Sequence, residues 1–301
     1  MASAASAPVP ASPFFPDVLA GRVCLVTGGG SGIGYEIAKQ MGEHGARVAL
    51  MGRRKEFLDA AAATLEKQGI QAMSVQGDVR NEADAKRVIA EVVQKYGKLD
   101  TLVNSAAGNF LASSEQLKPK GYKTVIEIDT IGTFTMTKTA FEELKRSQQG
   151  VVINISATLQ YGATWYQVHA AAAKAAIDST TRSLGLEWGR HNIRVNGIAP
   201  GPIGDTAGMT KLAPGLGMNE AIEAAIRETI PLNRLGTKGD IALTAVFLCS
   251  SAASFITGET IVVDGGAWLW KPPPMPVDQV LEMSRNVEKK SRSVGGAQSK
   301  L

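Results

Sequence analysis

The stretch from Arg22 to Met41 constrains this chain more than any other. Arg22-Val23-Cys24-Leu25-Val26-Thr27 is a short apolar run of the kind that makes a buried parallel strand. It breaks into Gly28-Gly29-Gly30-Ser31-Gly32-Ile33-Gly34, after which Tyr35-Glu36-Ile37-Ala38-Lys39-Gln40-Met41 takes up a helical pattern. Glycines permit the tight turn and let backbone N–H groups and the helix N-terminus reach a dinucleotide pyrophosphate. A glycine-rich loop alone could equally be a plain turn. The strand before it and the helix after it favour the phosphate cradle.

The rest of the chain repeats this alternation. Strand-like runs fall at 22–27, 46–51, 70–75, 99–104, 151–156, 192–198 and 260–263, with helical patterns between them. That predicts a doubly wound (Rossmann) α/β fold with a seven-stranded parallel sheet, formed as one domain over residues 18–270. The chain's 301 residues are enough to cover both faces of such a sheet. No run is apolar for long enough to cross a membrane.

Residues 1–17 are rich in Ala, Ser and Pro and read as a disordered lead. They lack the arginines and apolar core of a mitochondrial or secretory signal. Residues 271–301 open on Lys271-Pro272-Pro273-Pro274, continue polar and basic, and read as a tail. The tail closes on Ser299-Lys300-Leu301, a receptor-read address for peroxisomes, so the import receptor is an expected partner and the peroxisomal matrix the expected location.

The second strand ends in Gly52-Arg53-Arg54. A carboxylate there would bind both ribose hydroxyls of NAD, whereas guanidinium groups suit a 2′-phosphate, so the expected cofactor is NADPH. The formal charge of +4 carries no nucleic-acid argument but suits polyanionic ligands. Cys24 and Cys249 read as core residues, with no metal-ligand spacing around them. His44, His169 and His191 are scattered, and His169 reads as structural.

The spacing Thr27-Gly28-x-x-x-Gly32-x-Gly34 resembles the short-chain dehydrogenase/reductase family, and the resemblance runs through about residues 18 to 270. It implies that Asp78, followed by Val79, holds the adenine amino group. It also implies that Asn104-Ser105-Ala106-Ala107-Gly108 passes under the adenine ribose. Pro200-Gly201-Pro202-Ile203-Gly204-Asp205-Thr206 resembles the segment that holds the nicotinamide amide, and Asn196 and Asp264-Gly265-Gly266 are in family register. Lys174 matches the lysine that holds the nicotinamide ribose.

Three departures bear on chemistry. The family's phenol, four residues before the lysine, is Ala170, and its serine, seventeen before, is Ala157, with Ser156 one position off. Asp129, in Glu127-Ile128-Asp129-Thr130-Ile131-Gly132-Thr133-Phe134, replaces an asparagine. A site without either hydroxyl cannot trade a proton with a ketone oxygen in the family's usual way. Together with Val-His-Ala at 168–170 and Glu-Trp-Gly at 187–189, the pattern is similar to the branch of the family that reduces 2,4-dienoyl-CoA to 3-enoyl-CoA.

That resemblance implies Asp129, Lys174 and Asp264 as catalytic residues, and Arg80, Phe110, Lys118, Pro119, Lys120 and Lys211 as contacts to a fatty acyl-CoA. It further implies a lid over about 205–229 and a homo-oligomer. A ketone or alcohol dehydrogenase, a 2-enoyl-CoA reductase and a non-catalytic NADP-binding protein stay open as alternatives.

Overall fold

The computed structural model describes residues 11–206 and 220–298. Its centre is a seven-stranded parallel sheet: β1 (Val23–Thr27), β2 (Arg47–Gly52), β3 (Ala72–Gln76), β4 (Thr101–Asn104), β5 (Gly150–Ile155), β6 (Ile193–Pro200) and β7 (Thr260–Val263). The spatial order is β3-β2-β1-β4-β5-β6-β7, so the winding reverses between β1 and β4.

Successive strand side chains face opposite sides, which explains why these runs are apolar throughout. Cys24, Val26, Val48, Leu50, Val151 and Ile153 pack on one face against α1 (Gly32–Glu43), α2 (Lys55–Lys67) and α8 (Lys238–Cys249). Val23, Leu25, Ala49, Met51 and Val152 pack on the other against α3 (Glu82–Tyr96), α5 (Gly132–Arg146) and α6 (Val168–Trp188). Both cysteines are free and buried, and burial is the main reason that the Cys24 thiol is pushed up to about 12.

Several helix boundaries have visible causes. Asn81 caps α3 by accepting the N–H groups of Ala83 and Asp84, and Gly97 ends it in the left-handed region at φ 84°. Thr237 and Asp240 close a reciprocal capping box at the start of α8. The short helix α4 (Pro119–Val125) begins with proline in its first turn and runs into a π-helical segment, Ile126–Ile131, before α5. A further helix, α7, spans Glu220–Glu228.

At the N-terminal end the described part of the lead, residues 11–17, makes contacts: Ser12 Oγ lies 2.6 Å from His44 Nε2, and Phe14 packs against the core, as does Val18 just after it.

The described residues divide between Trp268 and Leu269 into two compact units. In the second, the residues read as a tail form a helix, α9 (Val277–Gln298). Pro276 starts it by accepting the N–H groups of Gln279 and Val280, and Glu288–Arg292 is an i,i+4 ion pair along it. The terminal Ser299-Lys300-Leu301 lies outside the described residues. Among the described residues no helix is long and apolar enough to cross a membrane.

Candidate active site

The crevice where open α/β sheets take ligands lies at the C-terminal ends of β1 and β4, where the winding reverses. Thr27, the last residue of β1, accepts the N–H groups of Ser105 and Ala106 at 3.0 and 3.1 Å, tying the turn after β4 to the glycine loop. Gly28 leaves the strand at φ 68°, and a Cβ there would stand 2.9 Å from the Ser105 carbonyl oxygen. At Gly34 a Cβ would stand 2.6 Å from the Gly28 carbonyl oxygen, so the first turn of α1 closes directly on the loop.

Gly29 and Gly30 pack on Leu50 and Leu58, and Ile33 on the core. Gly32 differs: it opens α1, and the space that its Cβ would take is empty of protein. Ser31 makes no side-chain cap, and the first turn carries no acidic residue. The positive end of α1 is thereby left to an anion, and a dinucleotide pyrophosphate fits the cradle.

Arg53 and Arg54 follow β2 as exposed residues. Arg54 lies over the Phe57 ring at 4.1 Å, and Arg53 lies within electrostatic reach of Asp78. Asp78 is gripped by Arg80, whose Nε donates at 3.0 and 3.1 Å to the two carboxylate oxygens. These hydrogen bonds hold the Asp78 carboxyl below the usual range. The Arg80 side chain stays 36% exposed beside this carboxylate, at the rim of the cradle. Val79 abuts Gly132 at the start of α5, where a Cβ would stand 2.6 Å from its Cγ2.

Asn104 donates to Thr137 Oγ1 at 2.8 Å and Asn154 Oδ1 at 2.9 Å, and Asn154 donates on to Thr181. This buried chain locks β4 and β5 to α5 and α6, directly beneath the loop carrying Ala106. At the end of β6, Ile203 bridges to Gly236 and Thr206 Oγ1 donates to the Ile203 carbonyl, shaping the Pro200-Gly201-Pro202 segment. Gly201 abuts Asp264, where a Cβ would collide with that residue. Asp264 itself accepts the N–H groups of Gly266 and Trp268, each at 2.8 Å. Each of its oxygens thus accepts one N–H of its own turn.

Asp129 is different. It sits in the π-helical segment and is 1% exposed. Its Oδ1 accepts the Gly108 N–H at 2.7 Å, and its Oδ2 lies 3.1 Å from Lys174 Nζ. The ammonium stands off the line of a hydrogen bond, so Oδ2 has charge neutralisation but no hydrogen-bond partner in the protein. Lys174 Nζ donates instead to the Ile155 carbonyl at 3.0 Å. One carboxylate oxygen is fixed by a backbone N–H, and the other faces the Lys174 ammonium. Single-turn π-helical segments gather at functional sites because they push one side chain off the regular helical position.

Ala170 is buried one turn before Lys174, and Ser156, next to Ala157, is buried with its hydroxyl bonded to no protein atom. Tyr161 lies edge-on to Trp268, and burial is the largest reason that its phenol is raised to about 12. Tyr166 is exposed. Neither phenol supplies a proton donor in the Ala170 position.

Phe110 stands beside this site, between α4, where a Cβ at Gly121 would meet its ring, and the His169 imidazole, 4.3 Å away between centroids. Lys118, Pro119 and Lys120 open α4 and are exposed. Lys211 and most of the expected lid lie outside the described residues; α7 is the described part of it.

Sequence reasoning passed over His169 because one helical step turns it about 100° from Ala170. The first turn of α6 is in fact covered on both sides, and His169 is fully buried. A polar residue heading an alanine run was the available signal.

A family model described as enoyl-(acyl carrier protein) reductase matches residues 28–267. A relative named peroxisomal 2,4-dienoyl-CoA reductase [(3E)-enoyl-CoA-producing], from Arabidopsis thaliana, is 54% identical over 96% of this chain and 99% of its own length. A short chain dehydrogenase structure from Bacillus anthracis aligns with TM-score 0.76 at 37% identity, over 85% of this chain and all of that one. A gluconate 5-dehydrogenase from Burkholderia cenocepacia, solved in complex with NADP and tartrate, aligns with TM-score 0.77 at 28% identity over 83% of this chain and 97% of its own. With the glycine cradle, the seven parallel strands and the lysine on α6 all in place, the chain belongs to the short-chain dehydrogenase and enoyl reductase family.

Proposed function

We propose that this protein reduces 2,4-dienoyl-CoA thioesters with NADPH, giving 3-enoyl-CoA in the oxidation of unsaturated fatty acids. The observation that carries this reading is the buried Asp129–Lys174 pair in a site whose two hydroxyl positions are Ala157 and Ala170. NADPH, when bound, supplies the hydride. Arg53 and Arg54 are set to take its 2′-phosphate, the Gly28–Gly34 loop its pyrophosphate, Lys174 its nicotinamide ribose and the Pro200–Thr206 segment its amide.

Reduction of a conjugated carbon–carbon bond places negative charge on the thioester oxygen and needs a proton on the neighbouring carbon. No alkoxide forms, so a phenol over a ketone oxygen has no task. Asp129, with Oδ1 tied to the Gly108 N–H, presents Oδ2 to carry or order that proton. Phe110 would flank the acyl chain, and Lys118, Lys120 and Lys211 would meet the coenzyme A phosphates.

Parallel assays of NADPH absorbance with 2,4-dienoyl-CoA, 2-enoyl-CoA and 3-ketoacyl-CoA test the reading. Turnover of the dienoyl substrate is expected to exceed both others. A preference for the 3-ketoacyl thioester would replace it with alcohol dehydrogenation, and no turnover of any would make the chain an NADP-binding protein only.

The same proposal places the protein in the peroxisomal matrix, delivered by a receptor that reads Ser299-Lys300-Leu301. A fluorescent fusion ahead of the chain should co-localise with a peroxisomal marker and lose that pattern when the three residues are removed. Self-association through α5 and α6 is proposed with it, supported by the exposed Phe134 and Leu186 on those helices.

A further inference from the structure

We propose that His169 is a catalytic residue of this site, donating a hydrogen bond from one ring nitrogen to the thioester oxygen of the bound acyl-CoA. The inference rests on the reductase reading above and names the group that takes over from the two absent hydroxyls.

The three histidines of the chain show why His169 stands apart. His44 has Ser12 Oγ and the Gln40 carbonyl each at 2.6 Å from a ring nitrogen, and His191 Nε2 accepts from Arg190 at 3.2 Å. His169 is more deeply buried than either, yet neither ring nitrogen meets hydrogen-bond geometry with any protein atom. The Phe110 backbone approaches the ring and favours its charged form without making a bond of that geometry. A buried polar ring without partners destabilises a fold, and an apolar side chain of similar volume would pack as well.

Position gives the ring a task. It adjoins Ala170, stacks on Phe110 and feels the charge of Asp129. Nearby, Asp129 Oδ2 faces only the Lys174 ammonium at 3.1 Å, and Asn109, next to Phe110, has a buried Oδ1 bonded to no protein atom. Burial holds the imidazole below its ordinary value, so the ring is neutral and offers one N–H. A neutral imidazole can polarise a carbonyl oxygen without giving up its proton, which leaves proton delivery to Asp129.

Wild-type turnover of 2,4-dienoyl-CoA is measured first, and failure there overturns the reductase reading itself. Given turnover, His169→Leu should lower kcat by about 10²–10³-fold, the usual effect of removing one oxyanion donor. Its NADPH affinity should stay unchanged and its melting temperature should not fall. His169→Gln, which restores an N–H, should recover at least about tenfold of the lost rate, roughly the contribution of one hydrogen bond. In the wild-type protein with labelled histidine, adding 3-enoyl-CoA with NADP⁺ should shift one imidazole nitrogen resonance, and that resonance should be missing from His169→Gln. The proposal is overturned if His169→Leu keeps kcat within about twofold, less than one hydrogen bond is worth. It is equally overturned if rate and melting temperature fall together without recovery in His169→Gln, or if no imidazole resonance moves. Should His169→Leu not fold, the resonance experiment on the wild type decides alone.

Discussion

The cofactor cradle and the substrate side of the site are a few residues apart along β4 and its following loop, yet they are built differently. At the cradle, backbone makes the surface: Gly28 and Gly34 close on each other, and Thr27 binds the N–H groups of Ser105 and Ala106. On the substrate side, buried side chains make it, and Asp129, Ser156 and His169 keep polar atoms bonded to no protein group. A backbone surface is specified by where side chains are missing. A side-chain surface is specified by which partners the fold withholds. The first should therefore fail through sterics and cofactor affinity, and the second through rate with little change in cofactor affinity.

The largest expected effect is on the substrate side. Asp129→Asn keeps an acceptor for the Gly108 N–H but loses the carboxylate, so kcat with 2,4-dienoyl-CoA should fall by about 10²–10⁴-fold. NADPH binding, measured by fluorescence titration, should stay near wild type. A loss below about tenfold would mean that water alone delivers the proton.

The cradle should break the other way. Gly34→Ala places a methyl group 2.6 Å from the Gly28 carbonyl oxygen, and that oxygen is backbone. Overpacking of this kind costs about 1–3 kcal/mol, so NADPH affinity should drop by roughly ten- to hundredfold. Unchanged affinity would show that the loop yields, and the contrast between the two regions would lose its basis.

Arg53→Asp tests cofactor choice. A charge-assisted hydrogen bond contributes roughly 1.5–3 kcal/mol, so the ratio of NADPH to NADH efficiency should change by at least about tenfold. An unchanged ratio in steady-state assays would move phosphate recognition away from the end of β2.

The smallest effect concerns the rim of the cradle. Arg80 lowers the Asp78 carboxyl pKa in the folded protein. Stability from that pair is therefore present above the ordinary carboxylate pKa and is lost as pH falls through the lowered one. Arg80→Ala should lose less than about 1 kcal/mol in urea unfolding near pH 7, because the pair lies at the surface and is partly screened by solvent. The difference should shrink as pH falls through the lowered Asp78 pKa and vanish once Asp78 is protonated in both proteins. A difference that persists in acid would mean that Arg80 acts through packing instead.

The sequence alone determined the sheet, its seven strands to within two residues at their starts, the glycine cradle and the basic end of β2. These are local signals: apolar runs of strand length, glycines where the backbone turns tightly, and charge at a fixed distance from a strand end. It also marked Asp129, Lys174 and the two alanines as belonging together, through their resemblance to a known pattern. The tertiary structure alone decided what each side chain does there. Arg80 turns to Asp78, the Asp264 oxygens accept from their own turn, Asp129 sets one oxygen on the Gly108 N–H and the other beside the Lys174 ammonium, and His169 is buried against Phe110 with neither ring nitrogen in hydrogen-bond geometry. The first two are local turns whose side-chain geometry only the folded backbone fixes, while the last two depend on which distant elements meet, here the turn after β4, the π-helical segment before α5 and the first turn of α6. Pairing between segments tens of residues apart is not encoded in any local periodicity.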